Sequence, residues 1–183
     1  MTDWLPMSRP LVKATEQKPI PIYLYHFPAM SGLPWHVALI RRLLDSYSSR
    51  IVGPEGLFSG DMAYARSAAA ISKDFAVFPS TEACLLDARR GDFAGCISAT
   101  ANVNADLCAR AWSEGDTAAL EAAVTIRKLF DGKPLVPGVK ALLAHIHGDA
   151  GLARVRPPLA PFSAADRASV VAGHDAARAK RVA

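Results

Sequence analysis

Cysteine is scarce in this sequence, and its spacing excludes sulfur-based frameworks. The 183 residues contain three cysteines, Cys84, Cys96 and Cys108, an odd number without a Cys-x-x-Cys pair. Disulfide scaffolds and structural zinc sites both require paired spacings. We therefore expect buried free thiols in a reducing, cytoplasmic compartment.

Long apolar runs and common catalytic motifs are also missing. No run reaches the roughly 18 apolar residues of a membrane span, so we expect no membrane partner. The N-terminal MTDWLPMSRPLVKATEQK has neither an apolar segment nor a small-residue cleavage site, and we expect no secretory signal. The chain contains no Gly-rich phosphate loop, G-x-S-x-G or H-E-x-x-H. His145 and His147, two positions apart on a predicted helix, point to different faces, and we expect neither metal nor cofactor.

The net charge of +4 comes from the C-terminal segment and does not by itself indicate a polyanionic partner. Residues 151–183 carry six Lys and Arg against two Asp and Glu, whereas residues 1–150 carry fifteen of each. A basic segment at the end of a final helix is favoured by the helix dipole. Because no basic stripe alternates with aromatic residues, we expect no nucleic-acid partner.

Four short apolar runs predict strands in the first hundred residues. They are Pro19–Tyr25, Arg50–Gly53, Phe75–Phe78 and Gly95–Ala99. Such continuous runs, bounded by turn residues, are typical of strands buried on both faces of a parallel sheet. Segments with helical spacing separate them, and one of these places Val37, Ile40, Leu44 and Tyr47 on one stripe. The alternation predicts four successive βα units.

After Ala99 the pattern predicts helices alone. They are NADLCARAWSEGD, TAALEAAVTIRKLFDG, PGVKALLAHIHG and a last helix that Ser163 caps. Four parallel strands fit either a small open sheet or half of an eight-stranded barrel, since a complete barrel takes around 250 residues.

In both folds, reactive groups gather where the strands end. The titratable candidates at these ends are Tyr25, His26, Glu55 and Glu82. A tyrosine can relay protons, and a carboxylate can act as a general base. Each candidate also has a plain structural interpretation, as a packed ring, a space-filling imidazole or a carboxylate in a turn. Glu55 lies in RIVGPEGLFSGD, where Gly and Pro end the strand.

Several stretches resemble one known family. IYLYHFPAMSG resembles the Y-N-x-P-x-x-T-G motif of the dihydrodipicolinate synthase / N-acetylneuraminate lyase family. RRGDFAGCISATANVNADLCARAWSEGDTAAL resembles the family segment from its seventh helix through its eighth strand. PGVKALLAHIHG and RVRPPLAPFSAADR resemble its C-terminal helical extension, so that the likeness covers residues 19–170.

The resemblance implies an α/β fold, a partial (β/α)₈ TIM barrel of about four C-terminal βα units followed by a helical extension. In this division residues 1–18 match poorly, residues 19–103 supply strands five to eight, and residues 104–183 form the extension. Family members are class I aldolase-type lyases that act on pyruvate and other 2-keto acids. They use a Schiff-base lysine and no metal, and they are usually dimers or tetramers.

By position, the resemblance also implies roles for individual residues. Tyr25 matches the proton-relay tyrosine, the main chain near Ile97 matches part of the substrate pocket, and Ser80 stands near a position that is often glycine. His26 replaces a usual asparagine. Met30 replaces an arginine that binds a substrate carboxylate in the synthases proper, and a thioether cannot form that pair.

The opening of the second βα unit departs most from the family pattern. The family reads Gly-hydrophobic-Lys there, whereas this chain reads Gly53-Pro54-Glu55 with one extra residue. Glu55 thus stands at the position of the Schiff-base lysine, and a carboxylate cannot form an imine. Strands one to four, with their threonine pair, have no counterpart in the sequence.

Three functional hypotheses follow from these departures. The first is a truncated lyase-family protein that is catalytically impaired or inactive. The second is an interaction or regulatory paralogue that self-associates or pairs with an intact relative, because bare sheet edges near Ile20 and Gly95 invite pairing. In the third, Tyr25 and Glu55 perform acid/base chemistry on a bound keto acid without an imine.

Overall fold

Tertiary contacts divide the chain into two units. A computed structural model describes residues 5–18, 20–32, 34–47, 50–55 and 62–179. The first unit comprises residues 1–80 and 91–95, and the second comprises residues 81–90 and 96–183. Neither unit is therefore one continuous segment of the sequence.

The first unit is built around a parallel pair of strands. Its elements are α1 (Leu5–Ala14), β1 (Ile22–Tyr25), α2 (Pro28–Ser31), α3 (Val37–Tyr47), β2 (Ile51–Glu55) and α4 (Met62–Ala69). Parallel strands need a crossover connection, which α3 provides with Ile40 and Leu43 buried. Arg50 fixes the entry to the strands, because its guanidinium donates to the carbonyl of Ile20 at 3.2 Å and to Thr15 Oγ1 at 2.6 Å.

The register of this pair sets the residues at its carboxyl end. Ile22 lies opposite Ile51, and an irregularity follows before Tyr23 meets Gly53. The ladder then places Tyr25 opposite Glu55. Side chains alternate across β1, so that Leu24 is buried while Tyr23 and Tyr25 are exposed.

Two of the four predicted strands do not form, and this part of the prediction is wrong. Phe75–Phe78 and Gly95–Ala99 lie within the described residues, yet neither is a strand. Phe75 and Val77 are buried as expected. The amide of Ala94 donates to the carbonyl of Val77 at 2.9 Å, but one such bond is not a ladder. An apolar run therefore identified core residues here without identifying a strand.

The second unit is helical, as its sequence predicts. Two short 3₁₀ turns, Glu82–Cys84 and Ala150–Ala153, accompany α5 (Leu85–Arg89), α6 (Ala101–Glu114), α7 (Thr117–Lys128), α8 (Leu135–His147) and α9 (Ala164–Ala179). The predicted cap of α9 is confirmed, because Ser163 Oγ accepts from the amide of Asp166 at 3.0 Å. Gly148 ends α8 in the left-handed conformation that favours glycine.

Apolar stripes of four helices form the core of this unit. Ala119, Ala123 and Ile126 form a buried stripe on α7, and Phe130 is buried just beyond the helix end. Leu107 of α6, Leu142 of α8 and Val170 of α9 pack into the same cluster. Within the described residues, no helix is long and apolar enough to cross a membrane.

Candidate functional site

Tyr25 lies at the carboxyl end of β1 with 47% of its surface exposed. Its ring meets that of Phe27 edge to face, with 6.0 Å between centroids. The residue lines an apolar cavity of about 260 Å³ that Leu11, Trp35 and Leu43 also border. The predicted position of Tyr25 at the end of a strand is confirmed, and its proton-relay role stays a prediction.

Glu55 is the last residue of β2 and lies opposite Tyr25 in the ladder. The predicted placement of its carboxylate falls outside what the structure describes, as does that of the thioether of Met30 in α2. The backbone register nevertheless brings two sequence-predicted site residues together on neighbouring strands.

His26, the third candidate, is buried and has the structural role foreseen as its alternative. Its imidazole stacks on the ring of Tyr64, with 4.7 Å between centroids and 18° between planes. The Trp35 ring is tilted by 43° relative to the imidazole of His26, with 6.3 Å between centroids. Tyr64 Oη donates to the carbonyl of Trp35 at 2.6 Å. His26 thus joins α4 to the end of β1 through aromatic packing.

Ser80 and Ile97 lie in different units of the molecule. Ser80 ends the longer segment of the first unit and is only 2% exposed. Ile97 precedes α6 in the second unit and is 39% exposed. Their substrate-binding roles stay predictions.

Glu82 places a buried carboxylate in the second unit, where it accepts hydrogen bonds from several side chains. This residue begins the first 3₁₀ turn and has no exposed surface. Its Oε1 accepts from Ser98 Oγ at 2.9 Å, from Thr100 Oγ1 and from Asn104 Nδ2 at 3.3 Å. Among the described residues, Oε2 has no hydrogen-bond partner. Buried polar atoms normally find partners, so this concentration of donors on one oxygen is unusual.

Helix α6 is distorted where it meets this carboxylate. Asn104 has non-helical backbone angles, φ −139° and ψ 21°, inside the helix. Its amide Nδ2 donates both to Glu82 and, at 3.2 Å, to the carbonyl of Ala123 in α7. The side-chain amide of Asn104 therefore links α6 to Glu82 and to α7, and the start of α6 loses its regular helical geometry.

Arg127 extends the cluster toward the surface. Its Nη1 donates to Ser98 Oγ at 3.2 Å, and Ser98 in turn donates to Glu82. Sequence reasoning selected Glu82 but missed Asn104 and Arg127. Ser98 and Thr100 lie inside the family-like segment that begins at Arg89, but sequence reasoning assigned no role to either residue.

The three cysteines, scattered in sequence, approach one another in the second unit. A side-chain hydrogen bond joins Cys84 and Cys96, and Cys108 Sγ donates to Asn104 Oδ1 at 3.4 Å. None of the three forms a disulfide, and only Cys84 is buried, whereas the sequence predicted burial of all three. The described part of the chain contains no group of three or more His, Cys, Asp or Glu side chains suited to a metal ion.

Comparison with known proteins places the chain in a family. The model of the dihydrodipicolinate synthetase family matches residues 12–177. The chain therefore belongs to the dihydrodipicolinate synthetase family. No curated protein sequence matches it.

Solved structures of TIM-barrel relatives have the same fold as the chain. A dihydrodipicolinate synthase from Agrobacterium tumefaciens superposes with a TM-score of 0.83 at 24% identity, over 96% of this chain and 61% of that one. A prophage protein of the family from E. coli, in complex with pyruvate, gives 0.78 at 23% identity, over 93% and 60%. A 2-keto-3-deoxygluconate aldolase variant from Sulfolobus solfataricus gives 0.80 at 14% identity, over 100% and 62%.

The chain thus spans about three fifths of the length of these relatives. At this level of identity, the superpositions establish the fold alone. The family match and the fold together confirm the resemblance found in the sequence.

Proposed function

We propose that this chain is a lyase-family protein that has lost Schiff-base chemistry while keeping part of a binding site for 2-keto acids. The observation that carries the proposal is the ladder register of Tyr25 and Glu55. Opposite the residue that matches the proton-relay tyrosine stands an acid rather than a lysine. An imine requires an amine, and no pKa shift supplies one to a carboxylate.

Neither Lys73 nor Lys140 lines the cavity that Tyr25 borders. Lys73 lines a separate cavity with Asp74 and Asp92, whereas Tyr25 lines the apolar cavity described above. Lys140 belongs to α8 of the second unit. This distribution supports a chain whose chemistry stops before covalent attachment.

The substrate class in this proposal is pyruvate or another 2-keto acid. Tyr25, Ser80 and the main chain near Ile97 are the proposed contacts, by their match to family positions. The E. coli relative was solved in complex with pyruvate, which supports this choice of ligand. We further propose that residues 19–103 correspond to barrel strands five to eight, and that residues 104–183 correspond to the helical extension.

Borohydride trapping tests the proposal directly. The full chain is incubated with pyruvate and borohydride, and its intact mass is compared with that of an active family lyase treated in parallel. We expect the active lyase to gain the reduced pyruvyl adduct and this chain to gain none. An adduct on any lysine of this chain would overturn the proposal.

Retention of binding is tested separately by ligand-observed NMR with pyruvate. We expect signal transfer from the protein to the methyl protons of pyruvate, reduced in Tyr25→Phe because that variant lacks the phenolic hydroxyl. Ser113→Ala, an exposed hydroxyl in α6, serves as the matched control. Equal transfer with all three proteins would exclude Tyr25 as a contact, and no transfer with any of them would exclude retained binding.

A second candidate function, self-association or pairing with a related chain, rests on exposed apolar surface. Ile20, Tyr23 and Tyr25 are 56%, 48% and 47% exposed beside a sheet of two strands. Within the described residues, the outer edge of each strand carries no further strand, and bare edges invite pairing. We propose a cytoplasmic homo-oligomer as the default assembly.

Size-exclusion chromatography with light scattering tests this second function. We expect the wild-type chain to elute above the monomer mass and Tyr23→Asp to shift toward it, because a charge on this surface opposes apolar contact. Val136→Asp, a similarly exposed apolar position at 50%, controls for added charge. A stable wild-type monomer at every concentration would contradict the association.

A further inference from the structure

Two cysteines of the second unit are neighbours in space although a segment of the first unit separates them in sequence. Cys84 ends the 3₁₀ turn that Glu82 begins and is fully buried. Cys96 precedes Ile97 and is partly exposed. A side-chain hydrogen bond connects the two sulfur atoms.

A second contact holds the same two segments together. Glu82 lies two residues before Cys84, and Ser98 lies two residues after Cys96. Ser98 Oγ donates to Glu82 Oε1 at 2.9 Å inside the buried cluster. This hydrogen bond brings together the two chain segments that carry the thiols.

The surroundings of Cys96 and Cys84 shift the pKa values of their thiols in opposite directions. The hydrogen bond from Cys84 lowers the pKa of Cys96, burial and the charge of Glu82 oppose this effect, and the charge of Arg127 adds a smaller lowering. The same hydrogen bond, together with burial, raises the pKa of Cys84 well above its ordinary value. For Cys108, burial raises the pKa to about 12. The thiolate is the reactive form of cysteine, so Cys96 is the nucleophile of the three.

We propose that Cys96 and Cys84 form a hydroperoxide-reactive site in which Cys96 is oxidised first and Cys84 resolves it to an intramolecular disulfide. The Cys96 thiolate attacks one oxygen of the peroxide, the O–O bond breaks, and Cys96 sulfenic acid and hydroxide form. The Cys84 thiol then attacks the sulfenic sulfur, the S–O bond breaks, and its proton leaves with that oxygen as water. The two sulfurs together lose two electrons, which the peroxide takes up.

The partly exposed position of Cys96 and the buried position of Cys84 suit this order of events. An oxidant can reach the first sulfur from solvent, whereas the second is protected until the sulfenic acid forms beside it. This activity is independent of keto-acid binding, so its test and that of the proposed function can fail separately.

Peptide mapping of the full chain tests the site. Reduced protein is treated with hydrogen peroxide, its remaining thiols are alkylated, and it is cleaved before aspartate without reduction. This cleavage separates the three cysteines into peptides 74–86, 92–105 and 106–115. We expect peptide 74–86 linked to peptide 92–105, with Cys108 alkylated. Alkylation of all three thiols after oxidation, or a disulfide that includes Cys108 or a second chain, would overturn the proposal.

Three variants separate the roles of the thiols. Cys84→Ser removes the resolving thiol, and we expect dimedone to label a sulfenic acid on Cys96. Cys96→Ser is expected to form neither sulfenic acid nor disulfide, while Cys108→Ser, the matched control, still forms the disulfide. In untreated wild-type protein at neutral pH, Cys96 should alkylate at least about tenfold faster than Cys108, because a larger thiolate fraction outweighs lower nucleophilicity. Equal alkylation rates for Cys96 and Cys108 would contradict the assignment of Cys96 as the nucleophile. If a variant does not fold, the peptide map of the oxidised wild-type protein alone tests the proposal.

Discussion

Arg178 of α9 forms a bidentate ion pair with Asp106 of α6. Its guanidinium donates to Asp106 Oδ2 at 2.5 Å and to Oδ1 at 2.9 Å, and a third bond at 3.1 Å reaches the carbonyl of Val103. The paired forks of guanidinium and carboxylate give this contact a defined direction. It joins the last helix of the chain to the first long helix of the second unit.

Arg178→Ala is expected to lower the free energy of unfolding by about 1 kcal/mol or less, since both side chains remain partly exposed and solvent screens the pair. Urea titration at neutral pH measures the change. Arg167→Ala, an exposed arginine on the same helix, is the matched control and should leave stability unchanged. A loss equal to that of the control would show that the ion pair contributes nothing.

The same pair predicts a pH dependence of stability. The hydrogen bond from Arg178 lowers the pKa of Asp106, against a smaller opposing effect of burial. Because the folded pKa lies below the unfolded one, the stabilisation is complete above the unfolded pKa and is lost as pH falls through the folded pKa. The stability difference between wild type and Arg178→Ala should therefore shrink below the ordinary range of aspartate, and a constant difference across pH would contradict this.

Glu82→Gln is expected to destabilise the second unit by about 1–3 kcal/mol, the cost of disturbing buried polar groups. The substituted amide keeps one acceptor oxygen and replaces the other with an NH₂ group, which removes the negative charge that the donors of Ser98, Thr100 and Asn104 face. Thermal unfolding followed by circular dichroism measures the effect. Glu121→Gln, an exposed carboxylate on α7, is the control. Equal melting temperatures for the two variants would contradict a structural role for the cluster.

Glu55→Lys is expected to permit covalent trapping, which the proposed function excludes for the wild-type chain. A lysine at this position puts an amine opposite Tyr25 in the ladder, and an amine can condense with the carbonyl of pyruvate to an imine that borohydride reduces. Peptide mapping should find the adduct on residue 55 and not on Lys73. Glu55→Gln should give none. Labelling of Lys73 alone would show that position 55 does not face the bound ligand.

Gly138→Ala is expected to destabilise α8 despite the higher helix propensity of alanine. An added Cβ would lie 2.9 Å from Phe130 Cδ1 and 3.1 Å from Phe162 Cζ. Overpacking of this kind costs about 1–3 kcal/mol, more than the roughly 1 kcal/mol that propensity returns. Chemical denaturation measures the net loss. Adding Phe162→Leu should recover part of it, and a purely additive double variant would contradict the steric cause.

Helices were more predictable than strands in this chain, for a physical reason. The stripe on α7 and the cap at Ser163 are local features, and a helix satisfies its hydrogen bonds within one segment. A strand needs a partner elsewhere in the chain. The run Phe75–Phe78 has the composition of a strand and a buried core position, but its described hydrogen bonding does not amount to a ladder.

The candidate site shows the same division between local and distant information. Tyr25 could be selected because turn residues mark the end of its strand. The strand end predicted at Gly53 and Pro54 is wrong, because β2 continues through both residues to Glu55. Asn104 could not be selected from the sequence, because the contacts of its amide with Glu82 and Ala123 require a helix distortion that sequence spacing does not encode. The pairing of Cys84 with Cys96 was hidden for a similar reason, because it depends on how distant segments meet.

The chain crosses between its two units three times, after Ser80, after Arg90 and after Gly95. A cut at the first crossing would leave residues 91–95 attached to the wrong piece. The first piece would then lose Phe93, which lies beneath the guanidinium of Arg66 at 5.5 Å, and Asp92, which pairs with that guanidinium. No single cut in the chain therefore separates the two units intact, and an engineer seeking either unit alone would need to join its two segments through a new linker.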